Sequence, residues 1–379
     1  MNKLKIGCGA VALFLFSASF LGAAWTTKRL TNTIGSSGDP DIAIAGSNIY
    51  MAWWDDTPGN GEIYFRKSTD DGSSWLAPKK ITNNAGNSYI PAIAISGANI
   101  YVTWEDDTPG NREIYFCNSV DGGATWGSPR RLTNTTGASR YSDIAVDGAN
   151  VYVTWVDDTP GNREIYFRKS TDGGATWLAA KRMTFNAEWS SNPDIKVKGA
   201  TLYLAWYDAT PGNREIYLRK STDGGSTWLA AKRLTYNAGA SCCPVMALSG
   251  SNIYLAWWDG TPGNYEIYFK RSADEGATWG ADMRLTDNAG DSVNPAIIVS
   301  GSNVYVVWVD GTPGNDEIFL RKSANKGATW LPAQRLTNNV GSSRYPAVAN
   351  NSTYLYVAWD NDIPDLREIY LKYSPLALL

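Results

Sequence analysis

The sequence predicts an all-β fold: a seven-bladed β-propeller of four-stranded antiparallel blades, its ring closed by the N-terminal strand, which completes the last blade. Three observations carry this. The stretch from Glu62 to Trp75 returns as Glu113 to Trp126, Glu164 to Trp177, Glu215 to Trp228, Glu266 to Trp279 and Glu317 to Trp330, a period of 51 residues without insertion or deletion. Each unit holds four strand-like runs separated by turn residues, and a repeat that cannot bury its own apolar faces must stack on its neighbours. A seventh copy starts at Glu368 and stops at Ser374, and the missing piece, Trp25 to Thr31, stands alone at the other end of the chain. A last unit completed by the first segment closes a ring, whereas a linear solenoid would leave unpaired edges and want polar caps that the chain lacks.

In chain order, residues 1–24 read as a secretory signal: Met-Asn-Lys-Leu-Lys, an apolar run from Ile6 to Leu21, then Gly22-Ala23-Ala24 before the expected cut. The propeller occupies 25–379, with blades near 40–83, 91–134, 142–185, 193–236, 244–287, 295–338, and 346–374 plus 25–32. In the first unit Pro40 to Ala45 alternates as a strand, and Gly46-Ser47-Asn48 turns the chain into Ile49 to Trp54, which is apolar on both faces and needs cover on both. Thr57-Pro58-Gly59-Asn60 suits a type II turn with Pro and Gly central. Glu62 to Lys67 is the third strand. The fourth runs from Trp75 to about Ile81, and its Lys79 and Lys80 suit a solvent-facing outer edge that must not pair further.

A formal charge of −3 over 379 residues gives no reason to expect nucleic acid or an anionic membrane as partner beyond the signal segment. Histidine is absent, which removes Ser-His-Asp and Cys-His catalysis and histidine metal ligation together. No cofactor is expected. No metal is expected either: aspartates cluster at Asp55 and Asp56, but without calcium-loop spacing. Cys242 and Cys243 are adjacent, leaving open a strained vicinal disulfide or two free thiols.

The pattern Ser68-x-Asp70-x-Gly72-x-x-Trp75 resembles the Asp-box, or bacterial neuraminidase repeat, of the sialidase superfamily. Its copies continue through Asp121 and Trp126, Asp172 and Trp177, Asp223 and Trp228, and Asp274 and Trp279; the sixth keeps Trp330 but has Asn325 for Asp. Ser and Asp oxygens can take up turn N–H groups, Gly permits a positive φ, and the indole covers neighbouring strands. In that family the box joins the third and fourth strands away from the active centre, so its role here is expected to be structural. Sialidases are usually six-bladed, and seven units is a departure.

Internal comparison of the repeats shows where they differ. The two residues before the first strand read Gly38-Asp39, Tyr89-Ile90, Arg140-Tyr141, Ser191-Asn192, Cys242-Cys243, Val293-Asn294 and Arg344-Tyr345, and are expected to crowd the channel mouth. Blade four adds Glu188-Trp189 and blade six Asp291. The candidate ligand residues are therefore Asp39, Tyr89, Arg140, Tyr141, Glu188, Trp189, Asp291, Arg344 and Tyr345: aromatic rings, two arginines and carboxylates, a mixture suited to sugars and acidic groups. Sialidase chemistry, by the resemblance, needs three arginines, a Tyr-Glu nucleophile pair and an aspartic acid. Arg140, Arg344, Tyr345, Glu188 and Asp39 supply residue types for it, yet no spacing links them. The near identity of the blades argues against an active centre. The expectation is a monomeric recognition module, secreted, periplasmic or on the cell surface, for glycans or surface proteins; the alternative is a sialidase-type exo-glycosidase at the central pocket.

Overall fold

The computed structural model describes residues 25–362 and 366–379, so the expected signal segment lies outside the described residues. Seven four-stranded antiparallel sheets follow one another around a ring. In the first blade the strands are Ser37–Ala45, Asn48–Asp55, Glu62–Ser68 and Lys79–Lys80, from the channel outward. The last blade takes Thr26–Arg29 as its outer strand beside Arg367–Pro375, in the register Thr26 with Tyr373 and Arg29 with Tyr370. The ends of the chain thus close the ring as expected.

The second strands form the core because their residues are apolar on both faces and lie between two neighbours. Trp53, Trp104, Trp155, Trp206, Trp257, Trp308 and Trp359 are at most 2% exposed. Each full burial removes roughly 150–250 Å² from water, about 4–6 kcal/mol of gross apolar stabilisation at about 25 cal/mol per Å². The packing crosses the blade boundaries. Tyr50, Ile63 and Phe65 of the first blade pack with Ile93, Val102 and Trp104 of the second, and Leu30, Ile42 and Ile49 pack with Tyr356 and Leu371 across the closing seam.

The Asp-box turns sit at the opposite end of the strands from the channel mouth. Ser68 Oγ donates to Asp70 Oδ1 at 2.8 Å and accepts the Gly72 N–H at 2.9 Å, and Asp70 Oδ1 accepts the Ser74 N–H at 2.8 Å. Gly72 has φ +84°, which a side chain would strain. The indoles are half-buried rather than buried, and Trp126, Trp177, Trp228 and Trp330 stand edge-on to a phenylalanine of the preceding blade, Trp126 to Phe65 at 5.0 Å. The box tryptophan therefore links blades, while the full burial belongs to the second-strand tryptophan.

Three local expectations shift. The first strand starts at Ser37 rather than Pro40, with a bulge between Gly38 and Asp41 that repeats in every blade. The tight turn closes one residue early, Gly59 N–H donating to Asp56 O at 2.8 Å, because Asp55 Oδ1 already holds the Thr57 N–H at 2.9 Å. Finally, the fourth strand pairs over only two residues, and its basic residue is more than an edge guard. Arg131 Nη2 lies 2.8 Å from the fully buried Glu113, and the same pairing recurs from Arg182, Arg233, Arg284 and Arg335. A carboxylate taken out of water needs such partners. At the closing seam the pair is Arg29 with Glu368, at 2.7 Å across 339 residues of chain.

Candidate functional site: the channel mouth

The first strands of all seven blades line a central channel of about 920 Å³. The recurring bulge explains which side chains reach it. At each bulge the second residue of the variable pair takes a left-handed conformation: Asp39, Ile90, Tyr141, Asn192, Cys243, Asn294 and Tyr345 all have φ between +49° and +54°. All of them line the channel. The first residue of each pair instead keeps strand pairing, Arg140 with Val156 and Arg344 with Asp360.

A left-handed non-glycine residue is disfavoured by roughly 1–2 kcal/mol, and a β-branched one such as Ile90 more. Glycine would relieve this, yet none of the seven positions uses it. The mouth therefore carries two phenols, two carboxamides, a carboxylate, a thiol and an alkyl group, with no cation among them. Tyr345 is 42% exposed.

Of the nine candidates, Asp39, Tyr141 and Tyr345 come together at the mouth. Tyr89 packs edge-on against Trp54 at 5.2 Å, filling space left by Gly61. Arg140 pairs with Asp158 at 3.2 Å, and Arg344 with Asp316 at 2.6 Å. Asp291 Oδ1 accepts the Tyr265 N–H at 2.9 Å. Glu188 and Trp189 are exposed on the outer part of the same face. Much of the variation before the first strand is thus taken up by complementary packing across seams, and the two arginines are committed to carboxylates.

Two buried carboxylates that sequence reasoning passed over brace the mouth from behind. Asp360 Oδ2 accepts the Asp39 N–H at 3.2 Å, and Glu105 Oε1 accepts the Tyr141 N–H at 2.6 Å. Both occupy a second-strand position held elsewhere by Trp54, Val156, Tyr207, Trp258 and Val309, so the change from bulky to acidic at one repeat position was the available signal. Burial pushes Asp360 up to about 7, with Asp39 beside it adding to the rise and Arg367 opposing it. Asp39 is raised too, again by burial, against the Trp54 indole N–H that donates to its Oδ2 at 2.7 Å. Burial likewise raises Glu105, opposed by the Tyr141 N–H and Arg112.

Deeper in the channel, Asp41, Asp143 and Asp194 each accept a backbone N–H from the first strand of another blade, those of Ile93, Ile195 and Met246 at 2.8, 2.7 and 3.0 Å. They fasten the inner wall. Lys196 lies 2.6 Å from Asp194 and 3.6 Å from Asp143. Burial works against its ammonium, but the two aspartates prevail and raise it. Among the described residues no group of three or more acidic or cysteine side chains is arranged to hold a metal ion.

Cys242 and Cys243 are free thiols here. Cys242 is buried, and Arg214 Nη1 approaches its sulfur at 3.7 Å. A hydrogen bond from Cys242 lowers Cys243, against burial, and the Trp258 indole adds to this.

No family model matches the chain. A sialidase of Bacteroides fragilis is 25% identical over 265 residues, 58% of this chain and 48% of that protein. Xyloglucanase Xgh74A of Acetivibrio thermocellus is 24% identical over 273 residues, covering 64% of this chain and 31% of that one. The chain thus spans less than half the length of either relative. Among solved structures, a phage phi92 endosialidase superposes with TM-score 0.58 at 12% identity, over 93% of this chain and 69% of that one. An α-L-arabinanase of Penicillium chrysogenum gives 0.54 at 17% identity, over 76% and 93%. The chain is a seven-bladed propeller, similar over part of its length to a protein named as a sialidase. The relatives carry the names of glycosidases, so the similarity lends no support to the expectation of a non-enzymatic module.

Proposed function

We propose that the protein recognises glycans, binding a neutral saccharide at the channel mouth. The observation that carries this is the ring of seven left-handed, non-glycine residues, alike in backbone and different in side chain. Strained backbone kept at every unit marks a place where side chains are wanted. Tyr141 and Tyr345 offer faces for sugar C–H groups, and Asn192, Asn294 and Asp39 offer donors and acceptors for hydroxyls. The arginines a sialic acid carboxylate would need are held by Asp158 and Asp316, which favours a neutral sugar over an acidic one. The leader expected from the sequence would deliver such a module outside the cytoplasm. A glycan array, with xyloglucan and linear arabinan added in solution, tests the reading. Saturable binding that falls at least tenfold in Tyr141→Ala and in Tyr345→Ala supports it, and binding unchanged in both variants contradicts it.

One observation favours a second reading, hydrolysis of the bound glycan. Asp360, raised to about 7, lies buried behind the channel-lining Asp39, and a proton-holding carboxyl near a second one is what glycosidic bond cleavage uses. The named glycosidase relatives are consistent with it. New reducing ends from xyloglucan or arabinan, abolished in Asp360→Asn while binding persists, would establish hydrolysis. Binding without any release leaves recognition alone.

A further inference from the structure

The face that bears the mouth is uneven around blade four. Three residues after the fourth-strand arginine or lysine, the repeats carry Asn32, Asn83, Asn134, Asp287 and Asn338, but Phe185 and Tyr236 on either side of blade four. In two of the others the polar side chain bonds the fourth-strand cation: Lys80 Nζ donates to Asn83 at 2.9 Å and Arg284 meets Asp287 at 2.6 Å. Phe185 and Tyr236 instead lie against the guanidinium groups of Arg182 and Arg233, at 4.7 and 4.5 Å from ring centroid to carbon, and both are 73% exposed. A third ring, Trp189, is 48% exposed and stacks on Arg163 at 5.2 Å.

The loop that carries Trp189 gives up a packing rule to do so. The preceding position is glycine in the other six repeats, Gly35, Gly86, Gly137, Gly239, Gly290 and Gly341, where a Cβ would press into backbone of the loop between the second and third strands. Blade four has Glu188 there. Drift at an exposed site does not require breaking a constraint kept six times.

Resting on the glycan reading of the mouth, we infer that Phe185, Trp189 and Tyr236 form a second saccharide surface, which holds the chain of a polysaccharide whose end or bend lies in the channel. Each ring is held flat by a guanidinium on one side and leaves area for a pyranose or furanose face. The rings are also separate. Buried rings of these blades pair with one another, Trp155 with Tyr166 and Trp206 with Tyr217, but no such pairing joins the three exposed ones among the described residues. A protein partner favours one contiguous apolar centre, whereas platforms on neighbouring blades suit separate sugar units along one polysaccharide chain.

Native affinity electrophoresis in gels containing xyloglucan or linear arabinan tests the inference, paired with titration of tetrasaccharides from the same polymers. The proteins compared are the wild type, a mouth variant with Tyr141→Ala and Tyr345→Ala, and a rim variant with Phe185→Ala, Trp189→Ala and Tyr236→Ala. The rim variant is expected to lose at least tenfold in polymer affinity and to keep tetrasaccharide affinity, while the mouth variant loses both. Wild-type polymer affinity in the rim variant, with the mouth variant impaired, overturns the rim surface and leaves the mouth reading standing. An impaired rim variant beside an unimpaired mouth variant overturns the mouth reading instead. No retardation of the wild type by either polymer overturns both.

Discussion

At Asp360 the carboxyl is buried beside Asp39, and its rise to about 7 has a consequence for stability. A raised carboxyl binds its proton in the folded state over a range where the unfolded chain has lost it. Its contribution is therefore complete below about pH 4 and is lost as pH rises through about 7. Asp360→Asn should raise the melting temperature at pH 8 relative to wild type by more than it does at pH 5, with a ceiling of about 4 kcal/mol from about three pKa units. A difference that is the same at both pH values would contradict the assignment. At Cys243 the expectation is selective chemistry. Cys117 is buried, and burial pushes its thiol up to about 11; Cys242 is buried and raised as well. Native maleimide treatment at pH 7.5 should modify Cys243 ahead of both, by at least tenfold in rate, and bound saccharide should slow it. Equal labelling of Cys117 would count against this placement. Comparison of the repeats picked out the variable pairs but could not tell which member of each faces the channel. That choice is made by a bulge, and the bulge shows only as a register shift between strands distant from any one residue's preference.

Among the elements, the Asp-box turns were legible because a short local motif dictates its own hydrogen bonds. The sixth copy shows how much of the carboxylate is needed: Asn325 Oδ1 accepts from Ser323 at 2.9 Å and from the Thr329 N–H at 2.8 Å, while its amide donates to Thr329 at 2.8 Å. Asp172→Asn should then unfold at the wild-type denaturant concentration, and Asp172→Ala at a clearly lower one, because it leaves Ser170 and Thr176 without their partner. Chemical denaturation of both variants checks the pair, and equal losses would contradict it. The fourth strand was less legible. Its basic residues read as edge protection because strand propensity says nothing about a buried carboxylate on the neighbouring strand, although Glu62 and its six repeats were visible as invariant starts of the third strand.

For the whole molecule, closure depends on a few residues that join the chain's two ends: Arg29 to Glu368, the Leu30 N–H to Ile369 O at 2.7 Å, and the Ile369 N–H to Thr31 Oγ1 at 2.8 Å. Arg233 and Glu215 make the same contact inside one blade, where the chain itself holds the strands together. Removing residues 25–33 should unpair the Arg367–Pro375 strand, bare the seam around Leu371 and replace a single cooperative melt by aggregation or a broadened transition. An unchanged melt would contradict the closing role. The ring was readable from the split repeat alone, because it follows from counting units. The ligand surface was not, because it arises where seven first strands converge and no segment of sequence records that convergence. The most direct test of the functional account is hydrogen–deuterium exchange with and without the glycan that binds best on the array. The account predicts slowed exchange at the first-strand starts around Asp39, Tyr141 and Tyr345, with the Asp-box turns unchanged. Protection at the Asp-box turns with the mouth unaffected would contradict it.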